Sequence, residues 1–158
     1  MSERVRRSAG LLLHRCGPDG RLEVLLGHMG GPFWSRKEAG AWSIPKGEPE
    51  QSEDDQSAAR REFGEELGLP VPAGTLLDLG TVRQSGGKSV RVFALSADLA
   101  LDGFTPGLFS LEWPPRSGRQ QEFPEIDRVE WCTLERASEL LVVAQREFLT
   151  RLEAALPG

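Results

Sequence analysis

A chain of 158 residues with a net charge of −5 is long enough for one domain with its own core. Hydrophobic residues make up 39% and charged residues 27%, so neither disorder nor a fibrous repeat is indicated. The acidic balance argues against general nucleic-acid binding, although an acidic ligand can still be drawn into a locally basic cleft. Two cysteines, Cys16 and Cys132, and two histidines, His14 and His28, do not make a zinc set; both cysteines read as small core residues. The apolar run 9–13 is too short for a signal peptide, and no stretch reaches the roughly 20 apolar residues of a membrane span. A cytoplasmic, non-membrane protein is expected.

In chain order, 8–15 and 22–29 read as strands of a hairpin around the turn "GPDG". A loop with Phe33 and Trp34 follows at 30–40. A short strand ends at Pro45, which has no N–H for a ladder. Ser52 is expected to cap a helix over 53–67, with Asp55 completing a modified capping box. Ala59, Phe63 and Leu67 recur every four residues as its buried stripe, and Gly68 ends it. Residues 75–84 and 88–98 read as a second hairpin around "SGG". The polar segment 109–125 reads as a surface loop around one short strand, and 126–134 as a strand. Apolar residues at 137, 141, 144, 148, 152 and 155 predict one closing amphipathic helix over 136–156. Strands mixed with two helices indicate an α+β or layered α/β domain covering 1–158.

The stretch Gly47–Leu69 holds eight carboxylates in 23 residues. On a helix, Glu62, Glu65 and Glu66 share one face, where like charges repel and carboxylate pKa values rise. A hard divalent cation such as Mg²⁺ removes that cost, since it takes oxygen ligands and sits between carboxylates and phosphates. Arg61, beside Glu62 and one turn before Glu65, can orient a carboxylate by charge-assisted hydrogen bonds. A solvated acidic surface helix is the competing reading of "REFGEE" alone.

The wider pattern is more specific. Gly47, Glu53 and then Arg61-Glu62-Phe63-Gly64-Glu65-Glu66-Leu67-Gly68-Leu69 resemble the Nudix box, with every specified position filled; Phe63 stands where the family more often has an aliphatic residue. The resemblance implies an α/β/α sandwich with a mixed β-sheet, and Mg²⁺- or Mn²⁺-dependent hydrolysis of a nucleoside diphosphate linked to another moiety. It implies Glu62, Glu65 and Glu66 as metal ligands, Arg61 as the residue that orients a box glutamate, and Glu53 as a brace for the loop–helix junction. Gly47 and Gly68 are then needed for backbone geometry. The general base varies within the family, being sometimes a box glutamate, here Glu62 or Glu65, and sometimes one from a downstream loop; Glu125 is the loop candidate here and Glu122 its competitor.

The segments "WSIPKGE" and "KSVRVF" resemble diadenosine polyphosphate hydrolases, which points to a dinucleoside polyphosphate. Against this, the chain has no tyrosine, and Gly86–Gly87 occupy the region where those enzymes carry one. Phe33 and Trp34 are the substitutes for base stacking. Signatures of the NADH, ADP-ribose and CoA branches are missing. "GGPFW", "AWSIPKGE" and "EWPPRSGRQQEFPE" are most similar to a branch of predicted nucleotide pyrophosphohydrolases. Lys37, Lys46, Arg83, Lys88, Arg91, Arg116 and Arg119 are candidate phosphate contacts, with Arg116 and Arg119 ranked higher because they share a loop with Glu125. The expected partner is a small-molecule nucleotide, not nucleic acid or membrane; a homodimer and a monomer both fit the sequence. A non-catalytic nucleotide sensor is the alternative function, disfavoured by the complete box.

Overall fold

The structure is a computed structural model describing residues 6–157. Its first two strands, β1 (Arg6–Cys16) and β2 (Leu22–Met29), pair only near their turn, from His14↔Val24 to Cys16↔Leu22. Beyond that they part. β1 takes a parallel partner, β6 (Lys88–Ser96), and β2 an antiparallel one, β9 (Ile126–Thr133). The short β3 (Trp42–Ser43) adds to β2, β4 (Lys46–Gly47) adds to β1, and β5 (Leu77–Arg83) pairs with β6. The result is a mixed seven-stranded sheet.

Central strands covered on both faces read as continuous apolar runs. In "AGLLLH", Leu11 and Leu13 pack with Ala59, Phe63 and Leu67 of helix α1 (Asp55–Leu67). Leu12 packs on the opposite face with Ala137 and Leu140 of α2 (Leu134–Leu140) and Phe148 and Leu152 of α3 (Glu147–Ala155). The period of two along the strand thus feeds two helical layers, the sandwich that the resemblance implies. Among the described residues, no helix is long and apolar enough to cross a membrane.

Several local expectations need correction. Asp54, not Ser52, caps α1: its carboxylate accepts from the Ser57 N–H at 2.7 Å. Ser52 lies outside the helix with φ at 69°, because residues 50–53 form their own turn, closed by the Glu53 N–H on the Glu50 carbonyl at 3.0 Å. The 109–125 segment is a hairpin, β7 (Leu108–Glu112) with β8 (Gln120–Pro124), and polar residues surround its cross-strand Phe109–Phe123 pair in the sequence. The closing helix is broken after Leu140. There the Val142 N–H turns to the Trp42 carbonyl at 3.0 Å, so a sheet-type contact wins over helix continuation at two β-branched valines. Finally, Cys16 is exposed; only Cys132 is in the core, where burial pushes its thiol up to about 12.

Candidate functional site

Helix α1 enters from the turn 48–53 and leaves at Gly68, whose left-handed backbone (φ 62°) lets its N–H reach the Gly64 carbonyl at 2.8 Å. Between those ends two of the three glutamates meet one cation. The Arg61 guanidinium donates to Glu62 Oε1 at 2.9 Å and to Glu65 Oε2 at 3.0 Å. It also grips both Glu53 oxygens at 2.9 Å and the Glu48 carbonyl at 3.1 Å. One fork therefore ties the helix to the loop before it. Those hydrogen bonds hold Glu53 down at about 2 and raise Arg61 itself. Glu53 further accepts the Glu50 N–H at 2.9 Å, so it stands at the loop–helix junction.

Glu66 lies beyond that fork. Among the described residues, its carboxylate takes one hydrogen bond, from the Lys46 backbone N–H at 3.3 Å. Burial raises its carboxyl to about 8, with Glu125 and Glu62 adding like charge and Lys46 opposing them. Glu62 is also raised by burial, against the pull of Arg61. Gly47 is required beside it: a Cβ there would collide with the Glu62 carboxylate. Glu65 differs, with a side chain 60% exposed and tied to Arg61.

Two hollows meet at these residues. The smaller, about 260 Å³, is lined by Glu66, Glu125, Lys46, Ser43, Trp34 and Phe109 among others. The larger, about 550 Å³, shares Met29, Ser43 and Lys46 with it and extends past Lys88, Gln84 and Gln145. Glu66 and Glu125 line the smaller, Lys88 the larger, and Lys46 both. Lys46 is the hinge between the two.

The remaining sequence candidates are more scattered. Lys88 lines the larger hollow and Trp34 the smaller. Phe33 stands 60% exposed, edge-on to Trp113 at 5.3 Å. Arg116 and Arg119 are exposed around the β7–β8 turn and line neither hollow. Glu122 is exposed on β8, opposite Ser110. Arg91 is spent on Asp78 and Asp55, at 2.5 and 3.1 Å. Sequence reasoning passes over Gln145, which is buried, accepts the Ile44 N–H at 2.9 Å and donates to Ser43 Oγ at 3.0 Å. Its only signal is a lone amide within the apolar run "LLVVAQREFL".

Among the described residues, no three His, Cys, Asp or Glu side chains stand together as a ready-made metal cage. The donors nonetheless fit a hard cation in kind. Glu62, Glu66 and Glu125 offer oxygen alone, and Glu66 is a partly buried carboxylate with one long hydrogen bond and two anionic neighbours.

Fold and cleft together define an α/β/α-sandwich protein with an acidic helix facing a basic rim. The chain belongs to the Nudix family: the NUDIX domain model matches residues 5–152. Among solved structures, it is similar to a C. elegans Ap4A hydrolase binary complex, at 24% identity and a TM-score of 0.66 over 95% of this chain and 96% of that one. It is similar as well to the NUDIX domain of Shewanella oneidensis NrtR in complex with ADP ribose, at 16% identity and 0.68 over 99% and 91%. A third is the M. smegmatis Nudix hydrolase RenU, at 25% and 0.61 over 98% and 89%. Among curated proteins, none matches.

Proposed function

We propose that this protein is a pyrophosphohydrolase that cleaves a nucleoside diphosphate-linked or nucleoside polyphosphate substrate with Mg²⁺ or Mn²⁺, a dinucleoside polyphosphate being the preferred candidate. The observation that carries the proposal is Glu66, a partly buried carboxylate with Glu62 and Glu125 as anionic neighbours, in a cleft that Lys46 and Lys88 also line. Glu62 and Glu66 would hold the cation, with Glu65 next to them on the helix. When bound, such a cation supplies charge neutralisation for the phosphate oxygens.

The chain's own residues do the rest. Lys46 and Lys88 neutralise the polyphosphate along the cleft, which suits a transition state whose charge is spread over phosphoryl oxygens. Glu125, exposed to water yet in the same hollow as Glu66, takes the proton of the attacking water. A water oxygen–phosphorus bond forms, the anhydride P–O bond breaks, and the leaving phosphate departs with its oxygen. Arg61 holds Glu62 in place without entering the reaction. Trp34 provides the apolar wall for a base.

The test is a hydrolysis panel of dinucleoside polyphosphates, ordinary and oxidised nucleoside triphosphates, ADP-ribose and NADH, with either cation. One preferred substrate, lost in Glu66→Gln, supports the proposal. Nucleotide binding without turnover across the panel replaces it with a sensor.

A further inference from the structure

His28 is the most completely buried polar residue near the cleft, and its ring meets two acceptors. Nδ1 lies 2.7 Å from Asp127 Oδ1, and Nε2 lies 2.6 Å from the Lys37 carbonyl oxygen. The ring thus bridges two segments of the chain. Asp127 is 30% exposed and has Arg128 Nε at 3.8 Å. The other charges around the ring are Glu38 and Arg128, which pair with each other. Trp42 closes the site edge-on at 5.3 Å.

The two acceptors belong to segments that each send residues into the lining of the smaller hollow: Trp34 from one, Glu125 and Ile126 from the other. Lys37 ends the turn that carries Trp34, its N–H bonded to the Trp34 carbonyl at 3.0 Å. Asp127 is the extra residue of a β-bulge: pairing of β2 with β9 runs His28↔Arg128, then Met29↔Ile126, and skips it. Bulges next to sites re-aim a side chain. Glu125 lies two residues before the bulge, and its backbone is caught at once by the Gly30 N–H at 2.9 Å and the Gly107 carbonyl at 2.8 Å. Gly30 has no room for a Cβ, which would strike the Pro124 carbonyl.

We propose that His28, bridging Asp127 and the Lys37 carbonyl, is a positioning residue that ties the β9 bulge to the Trp34 turn and so fixes Glu125 in the cleft. The catalytic half of this statement rests on the role given to Glu125 above; the structural half does not.

The test is backbone amide ¹H–¹⁵N NMR with steady-state kinetics on the full chain. Asp127→Asn should move the Gly30 and Glu125 amide resonances and lower kcat by about 10–100-fold with KM little changed, the cost of a small misplacement. His28→Gln should move the same two resonances. Unmoved Gly30 and Glu125 resonances in either variant would overturn the inference. A protein with the expected spectra but no hydrolysis of any nucleotide would refute the proposed function and leave the lock standing.

Discussion

Replacing Glu66 by Gln separates the two charges the site must balance. The carboxyl ordinarily titrates at 4.5 and in the fold at about 8. Below the lower value it is protonated in both folded and unfolded chains. As pH rises, the unfolded chain ionises first, so stability falls until the folded group has ionised too. At about 1.36 kcal/mol for each pH unit between the two values, the ceiling is roughly 5 kcal/mol above pH 8. The cleft admits water, which screens part of this; about half, roughly 2 kcal/mol, corresponds to roughly 4–8 °C in Tm for a chain this size. Glutamine keeps the shape and the acceptor for the Lys46 N–H and never ionises. Thermal unfolding in a chelator should therefore show Glu66→Gln more stable than the unaltered protein at about pH 8.5, with the gap closing toward about pH 4.5. Added Mg²⁺ should raise the Tm of the unaltered protein and leave the variant almost unmoved. A variant less stable than the parent at the alkaline end, or an equal response to Mg²⁺, would refute the reasoning.

Other variants divide the roles. Glu125→Gln should lower kcat by about 10²–10⁴-fold, the range a positioned base supplies, with little change in Tm; steady-state kinetics decide. Lys88→Ala should raise KM about tenfold for a long phosphate chain and less for a short one, since it removes one charge-assisted contact in the cleft; equal effects would detach Lys88 from the substrate. Arg61→Ala leaves Glu62 and the Glu48 carbonyl without their shared donor, and should cost about 2–3 kcal/mol in denaturant unfolding. Gly47→Ala should impair turnover through the displaced Glu62 carboxylate, with a smaller effect on stability.

How much of the fold and site is legible in the sequence follows from range. Spacing on one helix is a local property, so Arg61, Glu62, Glu65 and Glu66 can be read together, as can the Gly68 stop. The burial of Leu11 and Leu13 on one face and Leu12 on the other is also written in a near-continuous apolar strand. Long-range bonds are not legible. Nothing in "LLVVAQ" says that Val142 bonds to Trp42, or that Gln145 reaches Ile44, because those partners lie about a hundred residues away. The β7–β8 hairpin escapes a sequence reading because its stabilising pair, Phe109 and Phe123, is set among Gln, Glu, Pro and Gly. His28 cannot be weighed without Asp127 beside it. Sequence nearness ties Arg116 and Arg119 to Glu125, whereas the hairpin places them around its turn and Glu125 past the end of its second strand.

The most direct measurement is a ³¹P NMR time course of a dinucleoside polyphosphate with Mg²⁺ or Mn²⁺, in parallel with a chelator and with Glu66→Gln. Cleavage of one phosphoanhydride bond that needs the cation and disappears in the variant is the predicted result. Equal cleavage in the chelator, or by Glu66→Gln, would contradict the claim that this carboxylate cluster is the reaction centre.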